Sequence, residues 1–403
     1  MDFNYQVVSG GVTAPKGFQA AGIHCGLKKE KLDLAVIYSA VPAAGAGVFT
    51  VNKVKAAPIL VTMEHLAQGQ ARAVVVNSGN ANACTGEKGL ADARQMARAT
   101  AQALGISETE VMVASTGVIG VPIKIDLVEQ GIKEAVKSLS TAGGASAAEA
   151  IMTTDTFKKE LAISLELGGR VVTIGAMAKG SGMIHPNMAT MLGFITTDAA
   201  IEEKALLAAL REANDRSFNM ITVDGDTSTN DMVGIMANGE AGNNRITQDH
   251  PDFGRFQAAL SHIAVELAKL VAKDGEGATK LVEVQVKNAR TVADARKAAL
   301  TVAKSSLVKT AIFGEDANWG RILCAVGYSG AEFDPNRVDI ALGDEMMAIN
   351  GAGLAFNEEN AKHILGQKQV IIHIDLKDGE AEATAWGCDL SYDYVKINGS
   401  YRT

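Results

Sequence analysis

The chain has 403 residues, 47% of them apolar and 21% charged, with a net charge of −8 at neutral pH. That apolar share is enough for a large buried core and excludes a disordered chain. The acidic balance and the 5% of aromatic residues are the wrong sign and composition for a duplex-binding surface or a base-stacking platform.

In chain order, residues 89–104 read as a helix stopped by Gly105 in the usual C-cap place. An apolar strand at 111–113 runs into Ser115-Thr-Gly-Val-Ile-Gly120. Ile125, Val128, Ile132, Val136 and Leu139 then repeat every three or four residues, the spacing of one helix face. Leu161, Ile163, Leu165 and Leu167 alternate with less apolar neighbours, and Gly168-Gly169 supplies the positive φ angles of a tight hairpin before a return strand at 170–178. After a glycine-rich segment a β-like run occupies 191–196. Residues 256–270 show helical spacing, Val282/Val284/Val286 alternate as a strand, and Thr291-Val-Ala-Asp294 has the form of a capping box opening another helix. Val370, Ile372, Ile374 and Leu376 make a further alternating strand. Strands with one polar side, joined by hairpins and interleaved with helices, predict an α+β body with mixed sheets covered by helices, not a doubly wound parallel sheet.

Neither a zinc ribbon nor a disulfide framework is readable. Cys25, Cys84, Cys324 and Cys388 form no CxxC pair, and the seven histidines form no HExxH. Asp224, Asp226 and Asp231 fail the calcium-loop pattern and read as turn formers, so no metal and no resident cofactor are expected. The N-terminus lacks a basic stretch followed by an apolar one, and no uncharged apolar run approaches 18 residues. A cytoplasmic protein is expected.

The segment 179–198, beginning Lys179-Gly-Ser-Gly and reaching Ala189-Thr190, stands out for chemistry. As a phosphate loop it fails, because its lysine precedes the glycines. A break of the Ala189–Thr190 bond would give Thr190 a free α-amine beside its own hydroxyl. That amine, with an ordinary pKa of about 7.7–8.0, is a built-in base for a hydroxyl nucleophile. A buried strand threonine following a loop accounts for the same residues. At Thr116-Gly117 a strand-end turn can aim a hydroxyl and a backbone N–H at one point, as an oxyanion hole requires, each donor being worth about 3 kcal/mol; an ordinary turn reads the same way. His185 is a weaker candidate base, made unnecessary by the α-amine.

Six further stretches match one family in order: Val76-Asn-Ser-Gly-Asn-Ala-Asn-Ala-Cys-Thr-Gly86, Ser115–Gly120, Ile151-Met-Thr-Thr-Asp-Thr156, Thr222-Val-Asp-Gly-Asp-Thr-Ser-Thr-Asn-Asp231, Gly314-Glu-Asp-Ala-Asn-Trp-Gly-Arg321 and Asn398-Gly-Ser-Tyr-Arg-Thr403. Together with 179–198 they make the chain resemble, over essentially its whole length, the ornithine acetyltransferase family, also called bifunctional glutamate N-acetyltransferase/amino-acid acetyltransferase, of the cyclic arginine pathway. His185 and Ala317 depart from the family pattern.

The resemblance implies a self-processing N-terminal-threonine enzyme of layered α/β/β/α-type sandwich form. It implies cleavage between Ala189 and Thr190 into an α chain, 1–189, and a β chain, 190–403, assembled as α2β2. It implies ping-pong transfer of acetyl from N2-acetylornithine to glutamate through a Thr190 ester, with Thr116 and Gly117 as the oxyanion hole. Thr156, Lys179, Thr190, Glu276, Asn398 and Thr403 would contact substrate. Acetyl-CoA as a second donor is left open, and a self-processing amidohydrolase or aminopeptidase is the alternative activity.

Overall fold

A computed structural model describes residues 4–185 and 191–400. Its centre is two sheets packed face to face. The first has four strands in the order Phe18–Ile23, Leu34–Ser39, Ala73–Asn80 and Val111–Val118; the last pair is parallel and the others antiparallel. The second has six, in the order Tyr5–Val7, Lys159–Leu167, Arg170–Lys179, Leu192–Thr197, Met232–Ala237 and Ala44–Phe49. All its neighbours are antiparallel except Leu192–Thr197 with Met232–Ala237.

The period of two explains the layers. Val74 and Val76, with Phe18, Ile37 and Met112, point between the sheets, where they meet Met177, Phe194, Met232 and Met236. Val75, Leu34, Val36, Val111 and Val113 point the other way, against helices Ala57–His65, Gly86–Leu104 and Ile125–Lys137. On the outer face of the six-stranded sheet, Ile174, Ala176, Ile195 and Val233 join one core with Leu206, Leu210, Leu260 and Leu267 of helices Glu203–Arg216 and Phe253–Lys273. The layers are helix, sheet, sheet, helix, the expected α+β sandwich with mixed sheets.

A third sheet was not anticipated as a separate unit. It runs Ala352–Gly353, Glu345–Ile349, Asp339–Leu342, Gln369–Asp375, Leu281–Ala289, Ala381–Cys388. Its core, including Val282, Val284, Ile372 and Ile374, is continuous with that under the helix Phe253–Lys273. The alternation at 282–286 and 370–376 marks its two central strands, which pair in parallel. No helix among the described residues is long and apolar enough to cross a membrane.

Local signals behave as their chemistry requires, with one variation. Gly168 and Gly169, at φ 57° and 73°, turn the hairpin. Thr291 caps the helix Val292–Lys304 by accepting the Asp294 N–H at 3.1 Å. The reciprocal arm differs: the Thr291 hydroxyl donates to the Asp294 carboxylate at 2.6 Å, and that carboxylate also accepts the Glu332 N–H at 3.2 Å.

Phe194 is 1% exposed at the seam of the two central sheets, whereas Val171 on the hairpin is 62% exposed. Phe194→Ala is expected to cost about 3–5 kcal/mol in denaturant unfolding, and Val171→Ala no more than about 0.5 kcal/mol.

Candidate functional site

The strands Ala73–Asn80 and Val111–Val118 run parallel and their C-terminal ends carry the first wall of the site. There the register breaks, Asn80 facing both Thr116 and Val118. Gly117 sits at φ 133°, and a Cβ on it would lie 2.4 Å from the Gly79 carbonyl carbon and 2.5 Å from the Asn80 nitrogen. Only glycine fits that approach. A chain of amides fixes the turn. Asn77 Nδ2 donates to the Asn80 carbonyl at 2.8 Å, and the Ser115 hydroxyl donates to Asn77 Oδ1 at 2.5 Å. Asn230 Nδ2, from a distant loop, donates to the carbonyls of Ala81 and Ser115 at 2.6 and 2.9 Å. Thr116 is buried, and its hydroxyl has no hydrogen-bond partner among the described residues.

The second wall is electrostatic. The hairpin Lys159–Leu167/Arg170–Lys179 delivers two buried lysines. Lys159 Nζ lies 2.7 Å from Asp155 and 2.5 Å from Asp274. Lys179 Nζ lies 3.8 Å from Asp155. Asp155 also accepts the Thr153 N–H at 3.0 Å and the Gly180 N–H at 2.7 Å. Burial alone would raise the Asp155 carboxyl; the ammonium groups of Lys179 and Lys159 overcome that and hold it well below the ordinary carboxylate range. Burial lowers Lys179, with Asp155 opposing the shift and Lys159 adding to it.

A third wall comes from the loop 274–277 and the helix Tyr392–Ser400. Asn398 Nδ2 donates to Glu276 Oε2 at 2.8 Å. The Glu276 N–H donates to the Ser181 carbonyl at 2.9 Å, and the Ser181 hydroxyl donates to the Asp274 carbonyl at 2.6 Å. A Cβ on Gly182 would be 2.3 Å from the Glu276 carboxylate, so the glycines after Lys179 let this segment lie flat on the loop. Asp224 takes the N–H groups of Met183 and Ile184 at 2.6 and 2.9 Å. Burial raises its carboxyl and those N–H groups pull it back. The Tyr394 hydroxyl, itself pushed up by burial and by Asp224, donates to Asp224 at 3.3 Å. Asp231 is 1% exposed, and neither of its oxygens has a hydrogen-bond partner among the described residues. Burial raises its carboxyl well above the usual range, against the nearby N–H of Met191.

These walls enclose a cavity of about 330 Å³ into which Thr116, Gly117, Lys179, Glu276 and Asn398 converge. Thr156 stands apart from it. Its N–H donates to Asp274 at 3.0 Å, its hydroxyl donates to the same carboxylate, and it lines a neighbouring cavity; Thr153 and Thr154 line the site instead. Ala189, Thr190 and Thr403 lie outside the described residues. Met191, which follows Thr190 in sequence, is buried, and its carbonyl accepts the Met232 N–H at 3.2 Å. His185 faces a different cleft, beside Lys304. Burial, then the Lys304 charge, lowers it to about 4, so its ring is neutral at physiological pH. Among the described residues no cluster of three or more His, Cys, Asp or Glu side chains is placed to hold a metal.

A sequence model of the ArgJ family matches residues 19–403. The chain belongs to the ArgJ family. It is 62% identical over 399 residues to the arginine biosynthesis bifunctional protein ArgJ of Symbiobacterium thermophilum, covering 98% of this chain and 99% of that one. It is 55% identical over 402 residues to the protein of the same name from Caldanaerobacter subterraneus subsp. tengcongensis, covering 99% and 100%. The crystal structure of the arginine biosynthesis bifunctional protein of Bacillus halodurans shares 49% identity and superposes with a TM-score of 0.51, covering 52% of this chain and 98% of that one. The protein is an enzyme of arginine biosynthesis.

In this ArgJ-family chain, sequence reasoning did not find the supports of the site: Asp155, Asp224, Asn230 and Asp231. The motifs holding them were visible, but no local pattern says which carboxylate of Thr222–Asp231 turns inward. Thr116→Ala is expected to lower the turnover rate by about 10²–10³ without moving the unfolding midpoint, since its hydroxyl has no internal bond to lose; stopped assays beside a thermal melt check both. Because folded His185 titrates near 4 and an unfolded histidine near 6.5, unfolding takes up a proton in that window, and stability falls as pH drops through it. His185→Gln is expected to flatten that fall in denaturant titrations from pH 7 to 4, and to leave the pH–rate profile above pH 6 unchanged.

Proposed function

We propose that this enzyme cleaves itself between Ala189 and Thr190 and then moves acetyl from N2-acetylornithine to glutamate through an ester on Thr190. The observation that carries this reading is the convergence of Thr116 and Gly117, Lys179, and the Glu276–Asn398 pair on one small cavity. Acyl transfer needs an oxyanion site, and amino-acid substrates need one partner for a carboxylate and one for an ammonium. The buried Lys179 ammonium pairs the α-carboxylate. Glu276, oriented by Asn398, takes the side-chain ammonium of ornithine. Thr153 and Thr154 stand nearer to the substrate than Thr156, and Thr403 completes the pocket from the C-terminus.

In the first half-reaction the Thr190 α-amine removes the hydroxyl proton as Oγ attacks the acetyl carbonyl. The Thr116 hydroxyl and Gly117 N–H stabilise the tetrahedral oxyanion. The α-ammonium returns the proton to the departing amine, and ornithine leaves. In the second, the neutral amine of glutamate attacks the ester, Thr190 Oγ is reprotonated, and N-acetylglutamate departs. No metal or resident cofactor takes part. The solved Bacillus halodurans chain is matched over 98% of its length by 52% of this one, the size that a break near the middle of the sequence leaves. The α chain, 1–189, and the β chain, 190–403, would work in the cytoplasm as an α2β2 assembly.

Denaturing mass spectrometry of the purified enzyme is expected to show two chains, the second beginning at Thr190, and Thr190→Ala to give one intact, inactive chain. Labelled acetyl should appear in N-acetylglutamate; recovery as free acetate would make the enzyme a hydrolase. The rate should climb with pH through about 8, as the α-amine becomes neutral.

A further inference from the structure

Behind the loop 274–277 lies a second, larger cavity of about 780 Å³. It shares its walls with the first. Along the helix Tyr392–Ser400, Tyr394 and Asn398, four residues apart, face the small cavity. Asp393, Lys396, Ile397 and Ser400, offset by three or four, face the large one. Glu276 points into the first, and Gly275 and Gly277 line the second. A wall one loop and one helix thick therefore separates the two spaces.

The charge of the second cavity is not internally balanced. Lys273, Lys368 and Lys396 line it, and none has an ion pair or side-chain hydrogen bond among the described residues, unlike Lys280, which is spent on Glu315 at 3.3 Å and the Ile312 carbonyl at 3.2 Å. Of the carboxylates there, Asp274 is buried against Lys159, leaving only Asp393 to oppose three free ammonium groups. Phe157, 36% exposed, presents an aromatic surface on the same lining, with the Lys159 ammonium 4.9 Å from its ring centroid. In a chain of net charge −8, three unpaired lysines around one concavity mark a site for a multiply charged anion. The exposed aromatic adds a platform for a planar base.

We propose that this cavity binds the 3′-phosphorylated adenine nucleotide of a coenzyme A thioester, whose pantetheine arm passes the shared wall to present an acyl group in the small cavity. The inference rests on the acetyl-transfer reading above and deepens it. The phosphates sit among Lys273, Lys368 and Lys396, and the adenine lies on Phe157. The reaction balances without another reagent: Thr190 Oγ attacks the thioester carbonyl, the C–S bond breaks, the hydroxyl proton passes to the thiolate, and free coenzyme A leaves.

The test is steady-state kinetics of the Lys273→Ala/Lys368→Ala/Lys396→Ala triple variant with three donors: N2-acetylornithine, acetyl-CoA, and S-acetylpantetheine, which lacks the nucleotide. The expected result is a rise of about tenfold or more in the KM for acetyl-CoA, with the other two donors unchanged; the N2-acetylornithine rate also reports that the variant folds. Competition by 3′,5′-adenosine diphosphate but not by inorganic pyrophosphate supports the nucleotide as the element recognised; equal competition by both makes the cavity a general anion site and overturns the assignment. An unchanged KM for acetyl-CoA overturns it as well, as does a wild type that uses N2-acetylornithine and not acetyl-CoA. If the wild type uses neither donor, the acetyl-transfer reading fails, and this inference with it.

Discussion

The site is organised around one buried carboxylate. Asp155 receives Lys159, Lys179 and the N–H groups of Thr153 and Gly180, so it ties together the loop before the hairpin, both hairpin strands and the glycine segment after them. Lys159 extends the cluster to Asp274 and so to the loop that carries Glu276. Two cations and two anions removed from water together make a closed set in which each charge compensates the desolvation of the others, and removing one partner leaves an uncompensated charge at a cost of about 3–5 kcal/mol. Such a set adds little net stability over a hydrophobic cluster of the same size. What it does is fix geometry: Lys179 is held facing the small cavity because the carboxylate that satisfies it is immobile.

The same principle separates the two cavities. In the small one the charges are buried and mutually oriented, which suits a substrate recognised by the position of single groups. In the larger one the lysines are exposed and unpaired, which suits a partner recognised by its total charge. Asp274 belongs to both, neutralising Lys159 on one side and receiving the Thr156 N–H on the other.

What the sequence revealed follows from the range of the forces involved. The hairpin at Gly168-Gly169, the helix closed by Gly105 and the alternating strands were legible because period and turn chemistry are local. The Thr116-Gly117 turn was legible as a place, but its shape depends on Asn230, which bonds to Ala81 and Ser115 from 149 and 115 residues away. Lys159 reads in sequence as an ordinary charge at the start of a strand; its complete burial is visible only once Asp274 is beside it. The threonines at 153, 154 and 156 cannot be told apart by pattern. Asp155 turns inward between them, and that turn sends Thr156 to Asp274 and leaves Thr153 and Thr154 at the cavity.

The topology also says what a break before Met191 would do. No strand of the structure crosses that point: Arg170–Lys179 ends before it and Leu192–Thr197 begins after it. The six-stranded sheet is nevertheless built from both sides. Leu192–Thr197 and Met232–Ala237 lie between Arg170–Lys179 and Ala44–Phe49, each flank held by an antiparallel ladder of six residue pairs. Between the sheets, Phe194, Met232 and Met236 from the second part pack with Phe18, Ile37 and Val76 from the first. Two chains joined by ladders on both flanks and by a shared core would stay together after the bond is cut. The four-stranded sheet belongs wholly to the first part and the third sheet wholly to the second, so each would also keep a folded body of its own. A new N-terminus at position 190 would thus arise at the start of a central strand, inside an interface too extensive to open.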